Sequence, residues 1–288
     1  MKNVFKVLSC IQIHPLLWLM IALAIVTGNF IELSLFLLIV IIHELGHAVA
    51  ASYLSWRIKR IYLMPFGGVA EMDEHGNRPI KEEAIVILSG PLQHVWMMGL
   101  SFLFYQFSWM PLHLYEKFIE FNIMVLIFNL LPIWPLDGGK LVYLWRSMKE
   151  SFPLAHRRTM AISFTSLLVF TLMVLILQPY NLNIWVIVAF LSFSLYFEWK
   201  QSRYVFVRFL LERYYGKKID FQVLKQIHVS EDESILKVLQ KFQRGYKHLI
   251  IIEKEDNESV QLDENEILHA YFTEKMLSAK IGELLYPY

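Results

Sequence analysis

Long apolar runs separated by short polar connections dominate the chain up to residue 199. An α-helix needs about 20 mostly apolar residues to cross the hydrocarbon of a bilayer. Six runs approach that length, at residues 14–28, 31–54, 84–107, 118–131, 160–178 and 182–199. This pattern predicts an all-α polytopic membrane protein with six transmembrane helices, the fourth continuing as a broken segment toward residue 148.

Basic residues are distributed unequally over the connections between these helices. Those that lie at the N-terminus, in alternate connections and after the last run are Lys2, Lys6, Arg57, Lys59, Arg60, Lys140, Arg146, Lys149, Arg157, Arg158, Lys200 and Arg203. The opposite connections contain only Lys117. Because cytoplasmic connections carry the excess of Lys and Arg, we predict that both termini are cytoplasmic. No small-residue cleavage site follows the first apolar run, so we expect that helix to be retained.

Residues 57–83, between the second and third helices, contain two short β-favouring runs around Pro65-Phe66-Gly67-Gly68. A turn-forming glycine pair between such runs predicts a β-hairpin. Its tip is apolar, so we expect the hairpin to be associated with the membrane. Backbone in that position must be covered by protein or line a wet cavity.

The composition becomes more polar after residue 200. An amphipathic helix is predicted at 203–215, within a linker of residues 200–222. Beyond it, alternating strand and helix patterns predict a small α/β domain. Its elements are strands at 227–229, 248–253 and 259–262 and helices at 231–242 and 264–272. The predicted domains are therefore 1–199, 200–222 and 223–288.

Composition and charge exclude several classes of protein. Of the 288 residues, 56% are hydrophobic and 18% are charged, which is too apolar for an ordinary soluble domain. The net charge of +1 gives no basic excess, so we expect no nucleic-acid partner. The single cysteine excludes an internal disulfide framework and a Cys-based zinc site.

The sequence His43-Glu44-Leu45-Gly46-His47 lies inside the second apolar run. Positions i and i+4 share one helix face, so both imidazoles can bind one metal, with Glu44 beside them to act on a water. Arg57 follows ten residues later, which places the motif about 15 Å inside the cytoplasmic boundary of a straight helix. Ionisable groups are costly at that depth unless they have a partner or a function, so we predict a metal site.

A catalytic zinc takes three protein ligands and keeps one open position. A candidate third ligand lies in residues 129–139, NLLPIWPLDGG, where two prolines and two glycines must break the helix. At such a break the carboxylate of Asp137 can face a wet cavity inside the protein. It can equally lie in a solvated loop at the membrane exit, and the residues alone leave both alternatives open.

The combination of HELGH in the second helix with NLLPIWPLDGGK in the fourth resembles the site-2 protease family, whose pattern is HExxH plus a distal LDG aspartate. The resemblance implies that His43, His47 and Asp137 bind Zn²⁺ and that Glu44 is the general base. It implies an intramembrane zinc endopeptidase that acts near the cytoplasmic face of the bilayer.

Other polar or small residues in the apolar segments have less specific interpretations. Asn129 can hydrogen-bond the substrate backbone or the oxyanion, or it can cap the helix break. Pro135 is predicted to shape the substrate-binding loop rather than to touch the chemistry. Gly90-Pro91 favours close helix packing. His94 favours a hydrogen bond inside the bundle over metal ligation.

The order of helices, the hairpin and the C-terminal module resemble the sporulation members of the site-2 protease family. That resemblance implies a CBS domain at 223–288 and, as substrate, the membrane-tethered inactive precursor of a sporulation sigma factor. It also implies small inhibitory membrane proteins and a location in the mother-cell membrane around the forespore. Since CBS modules usually pair and often bind adenine nucleotides, we expect a homo-oligomer with ATP near the module. A docking domain without ligand is the alternative.

Two other functions compete with proteolysis. A membrane metal transporter would use the histidines as a transit site, but the sequence contains no second set of intramembrane ligands and no related halves. A catalytically inactive scaffold is the other alternative, and the intact HELGH and LDG motifs argue against it.

Overall fold

The structure, a computed structural model, describes residues 11–13, 15–56, 58–64, 67–72, 78–216, 223–253, 259–276 and 279–285. The α-helices in chain order are α1 Pro15–Thr27, α2 Phe30–Tyr53, α3 Ile80–Gln106, α4 Leu112–Asn129, α5 Asp137–Ser147, α6 Phe152–Leu177, α7 Leu182–Tyr215, α8 Ile235–Leu239 and α9 Glu264–Phe272. The β-strands are β1 Ile11–Ile13, β2 Ile58–Met64, β3 Gly67–Met72, β4 Leu224–Ser230, β5 Lys247–Glu253 and β6 Ser259–Asp263. A short 3-10 helix follows at Ile281–Leu285. The protein is therefore mostly helical, with two small sheets.

Four helices among the described residues, α2, α3, α6 and α7, are long and apolar enough to cross a membrane. Helix α1 has 13 residues, which gives it a length of about 20 Å. Helix α4 has 18 residues but includes the charged side chains of Glu116, Lys117 and Glu120. All six predicted helices are thus present as helices, and four of them meet the length and composition of a membrane span.

Helix α6 presents large apolar side chains outward along its length. Leu168, Val169 and Ile176 are all exposed, the last of them by 77%. A helix in water would turn such residues toward a core, whereas a helix in lipid leaves them on its outer face. The exposed apolar surface therefore agrees with a membrane environment for this helix.

Strands β2 and β3 pair antiparallel and confirm the predicted hairpin. Strand β1 adds a parallel partner on the other side of β2, with Ile11 opposite Ile61 and Ile13 opposite Leu63. The sheet order is β1-β2-β3, so β3 forms one edge. The apolar tip, residues 65–66, lies outside the described residues, and its contact with the membrane stays a prediction.

The chain divides into two compact units. The first unit comprises Met1–Glu74, Lys81–Val142 and Ile162–Leu195, and the second comprises His75–Ile80, Tyr143–Ala161 and Tyr196–Tyr288. The segment 203–215, predicted as a linker helix, is helical and continuous with the last apolar helix as part of α7. The domain limits at 199 and 222 stay predictions.

Three helices of the first unit interlock through one apolar cluster. Ile39 and Val40 of α2, Met97 of α3, and Phe118 and Val125 of α4 are all buried against one another. Burial of this many large side chains fixes α2, α3 and α4 side by side. The same three helices carry the buried polar side chains described below.

The second unit contains the sheet β4-β5-β6, in which β4 is parallel and β6 antiparallel to the central β5. The predicted order of strand, helix, strand, strand and helix is confirmed. Helix α8 is shorter than the predicted 231–242. Ile250 and Ile252 of β5 are fully buried, as the apolar run predicts.

A buried ion pair joins the end of α7 to α9 within the second unit. Arg213 donates to both carboxylate oxygens of Glu264, with Nε 2.7 Å from Oε1 and Nη2 3.0 Å from Oε2. It also donates to the carbonyl oxygens of Gln243 and Tyr246. Burial alone would raise the pKa of Glu264, but the hydrogen bond from His248 and the charge of Arg213 outweigh it and lower this pKa. The carboxylate is therefore ionised at neutral pH.

We expect Glu264→Gln to destabilise the second unit by about 3–5 kcal/mol, because it leaves the buried Arg213 guanidinium without its counter-charge. Thermal unfolding and limited proteolysis of the detergent-purified protein measure the effect. Asp232→Asn is the matched control, since Asp232 forms an exposed ion pair with Lys280. Equal stability of the two variants would contradict a structural role for the buried pair.

Candidate metal centre

Three buried side chains from two separate segments of the first unit meet at one point. His43 and His47 lie one turn apart on α2, and Asp137 is the first residue of α5. Their exposed fractions are 2%, 5% and 3%. Helix α4 ends at Asn129 and the chain turns through residues 130–136 before α5 begins, which confirms the predicted helix break. Asp137 thus faces inward rather than into solvent.

The ligand atoms have the spacing that a zinc ion requires. The Nε2 atoms of His43 and His47 are 3.2 Å apart. Oδ2 of Asp137 lies 3.0 Å from Nε2 of His47 and 3.2 Å from Nε2 of His43. Tetrahedral zinc with bonds of about 2.0–2.1 Å keeps its ligand atoms about 3.3 Å apart. The three atoms therefore fit Zn²⁺.

Hydrogen bonds outside the site determine where the proton of the His47 ring lies. Its Nδ1 is 2.7 Å from the carbonyl oxygen of Val86, which can only accept. Nδ1 therefore carries the proton. A neutral ring then presents the lone pair of Nε2 to the site.

A longer chain of contacts reaches Nδ1 of His43. Nδ2 of Asn122 donates to the carbonyl oxygen of Phe118 at 2.8 Å, so Oδ1 of Asn122 faces Nδ1 of His94 at 3.0 Å and accepts from it. The neutral His94 ring then accepts at Nε2, which lies 3.1 Å from Nδ1 of His43. His43 donates from Nδ1, and its Nε2 also presents a lone pair. This series of bonds, from His43 through His94 and Asn122 to Phe118, is referred to below as the relay.

With both rings neutral, two imidazole lone pairs and a carboxylate oxygen converge on one point. Unpaired acceptors in a buried place are strongly unfavourable unless a cation lies between them. Nitrogen and oxygen ligands of this kind suit zinc. In the part of the chain that the structure describes, this is the one cluster of histidine, cysteine or acidic side chains with such spacing.

The second oxygen of Asp137 is held outside the site. Nζ of Lys140 lies 3.3 Å from Oδ1, so one carboxylate oxygen faces the histidines and the other faces the lysine. A carboxylate in the first turn of a helix is also favoured by the helix dipole. From sequence, Lys140 indicated only the topology. The i, i+3 spacing of Asp137 and Lys140 is the signal that would have indicated this pair.

The remaining predicted site residues lie around this cluster. Glu44 is buried on α2 and close enough to His47 to interact with it electrostatically. Asn129 is half-buried, and its Nδ2 donates to the carbonyl oxygen of Val125 at 3.0 Å. Pro135 is half-buried in the turn before α5. Among the described contacts, neither Asn129 nor Pro135 forms a hydrogen bond to the three converging side chains.

Gly90 of α3 is required by the position of the His47 ring. A Cβ atom at residue 90 would lie 2.1 Å from Nε2 and 2.4 Å from Cε1 of that ring, far inside van der Waals contact. Close helix packing at Gly90 was predicted from sequence, and the side chain that packs against this glycine is the ring of His47. The identity of that neighbour could not be predicted from the local pattern.

The model of Peptidase family M50 matches residues 31–120 and 106–175, a range that contains both HELGH and LDG. The chain belongs to peptidase family M50. It is 47% identical over 278 residues to stage IV sporulation protein FB of Bacillus subtilis, with 96% of each chain covered. A zinc metalloprotease of Methanocaldococcus jannaschii is 28% identical over 246 residues, covering 81% of this chain and 69% of the relative.

The fold agrees with this family. The structure of a site-2 protease from Methanocaldococcus jannaschii superimposes with a TM-score of 0.52 at 28% identity, over 65% of this chain and 89% of that one. Together with the apolar helices, family membership makes the protein a multi-pass membrane zinc metalloprotease. The prediction of a zinc metalloprotease is confirmed.

We expect Gly90→Ala to displace the His47 ring and to weaken zinc binding by more than about 10-fold, with loss of activity. Metal analysis of the detergent-purified protein after competition with a chelator measures the zinc affinity. Gly99→Ala, on the same helix, is the matched control, since a Cβ there meets nothing within 4 Å. Unchanged zinc affinity in Gly90→Ala would contradict the proposed contact between the His47 ring and the metal.

Proposed function

We propose that this protein cuts a peptide bond of a membrane-associated substrate near the cytoplasmic face of the bilayer. In this proposal His43, His47 and Asp137 hold the zinc ion and Glu44 is the general base. The observation that carries the proposal is the convergence of two imidazole nitrogens and one carboxylate oxygen, all within 3.2 Å of one another and buried beside a further carboxylate.

A zinc ion held there would polarise the scissile carbonyl and increase the acidity of water. Glu44 takes a proton from the attacking water and then delivers it to the leaving amide nitrogen. The bond to Val86 keeps the His47 ring fixed while this happens, and the bond to Lys140 keeps the Asp137 carboxylate fixed. Because His43, His47 and Asp137 are buried, their interactions with a bound ion would be little weakened by bulk water.

The substrate must present an extended segment, because a helix keeps its carbonyl groups bonded and shielded. We propose that this segment adds to the edge formed by β3, where backbone groups can pair with it. Asn129 and Pro135 are proposed to contact it at the helix break. The amide nitrogen of Asn129 is bonded to Val125, which leaves its oxygen to accept from a substrate N–H.

The proposed topology has six spans and cytoplasmic termini. The unequal distribution of Lys and Arg supports it. The charges of α4 lie within its first nine residues, Leu112 to Glu120, so they can lie at the interface while the apolar remainder enters the membrane. Six crossings place the HELGH end of α2 toward the cytoplasm.

The likeness to a stage IV sporulation protein supports a proposed substrate, partners and location in sporulation. We propose that the substrate is the membrane-tethered inactive precursor of a sporulation sigma factor. Small inhibitory membrane proteins and a location in the mother-cell membrane around the forespore belong to the same proposal. Release of the product on the cytoplasmic side suits the activation of a soluble transcription factor.

The sheet and two helices of the C-terminal module support a CBS-like domain that pairs with the same domain of a second chain. ATP is the proposed ligand, and a docking domain without ligand is the alternative. Titration calorimetry of the purified protein with ATP separates them. We expect saturable binding, and no heat of binding at millimolar ATP would favour the docking domain.

We expect Glu44→Gln to bind zinc normally and to cut the substrate at least about 100-fold more slowly, since it removes the general base and keeps the ligands. The assay reconstitutes the protein in liposomes with a membrane-tethered sigma-factor precursor and follows the product. Asp137→Ala should lose both zinc and activity, because a ligand is removed.

Glu120→Gln is the matched control, since Glu120 is exposed and pairs with Lys117. It should retain both zinc content and cleavage. Full activity of Glu44→Gln would refute the assignment of the base. Unchanged zinc in Asp137→Ala would place the third ligand elsewhere.

A further inference from the structure

His94 and Asn122 are fully buried polar side chains on α3 and α4, and the mechanism above assigns them no role. We propose that they are positioning residues that fix the proton of His43 on Nδ1 and so keep Nε2 free for the metal. The inference rests on the proposed ligation of zinc by His43. The contacts that support it are those of the relay, from His43 through His94 and Asn122 to Phe118.

The His43 ring can carry its proton on either nitrogen, and only one of the two forms can ligate a metal through Nε2. A proton on Nε2 would point at Asp137 and His47 and would fill the site. An acceptor beside Nδ1 stabilises the form that ligates. Nε2 of His94, 3.1 Å away, is that acceptor.

The relay can run in only one direction. If the Asn122 amide were reversed, its oxygen would face the carbonyl oxygen of Phe118 at 2.8 Å, and two acceptors would repel each other. The amide nitrogen therefore faces Phe118 and the oxygen faces His94. Each bond then fixes the next, from the backbone of α4 through α3 to the ring on α2.

The apolar cluster holds the relay in place. Ile39 lies one turn from His43, Met97 one turn from His94, and Val125 one turn from Asn122. The apolar contacts and the polar contacts therefore form adjacent layers across the same three helices. Rotation of any of these helices would break both layers.

The hydrogen bonds of His94 favour a positioning role for this residue over ligation of the metal. Its Nδ1 bonds to Asn122 and its Nε2 bonds to His43, so both ring nitrogens are already used. The prediction that His94 forms a hydrogen bond inside the helix bundle is confirmed. Its partner, His43, is a residue of the proposed metal site.

The test replaces His94 by leucine and by glutamine and measures the zinc dissociation constant of the purified protein by competition with a chelator. We expect His94→Leu, which has no acceptor, to bind zinc about 10–100-fold more weakly. His94→Gln keeps an oxygen acceptor and should recover most of that loss. Equal zinc affinity in His94→Leu and the unmodified protein would overturn the inference.

A double-mutant cycle distinguishes the relay from general packing. Asn122→Leu should weaken zinc binding in the unmodified protein and should have no further effect when His94 is already leucine. Additive losses in the double variant would overturn the relay. Ser101→Ala on α3 is the control for a buried polar deletion, because that hydroxyl bonds only to its own helix at Met98. Its zinc affinity should be unchanged.

One further variant separates this inference from the proposed function. His43→Ala should abolish zinc binding if His43 is a ligand. If it binds zinc normally, the proposed site is wrong and the relay has no role. If His43→Ala loses zinc while His94→Leu binds it as tightly as the unmodified protein, only the positioning inference is wrong.

Discussion

Two imidazole nitrogens and one carboxylate oxygen meet inside the helix bundle within 3.2 Å of one another, and the rest of the first unit supports that arrangement. Each of the three groups is held from behind by a different partner. Val86 accepts from His47, His94 accepts from His43, and Lys140 donates to Asp137. Because every outward atom is occupied, the inward atoms remain available to a cation.

The parts of this arrangement that depend on local chemistry could be predicted from sequence. The i, i+4 spacing of His43 and His47 follows from helix geometry alone. The break before Asp137 follows from the conformational limits of the prolines and glycines in residues 130–139. In the C-terminal module, the alternation of strand-like and helix-like patterns likewise predicted the order of the strands and helices, because each element there is short and bounded by polar residues.

The contacts that depend on how helices and strands pack against one another could not be predicted from sequence. Strand β1 has only three residues, and its partner β2 lies some 50 residues later. The contacts of Gly90, His94 and Asn122 form only when α3 and α4 pack against α2. The composition change near residue 200 suggested a boundary, yet α7 continues to Tyr215 because Lys and Arg are good helix formers and no glycine or proline interrupts it.

The layering of α2, α3 and α4 has a consequence for assembly in the membrane. Alone in lipid, α2 would expose His43, Glu44 and His47 to hydrocarbon, which is unfavourable. Docking removes them from lipid only in the correct rotational register, since a shift by one residue turns a helix face by about 100°. A misregistered bundle would leave both a polar group in lipid and a gap in the apolar layer. The buried polar residues that converge between these helices therefore also favour the native arrangement of the helices that enclose them.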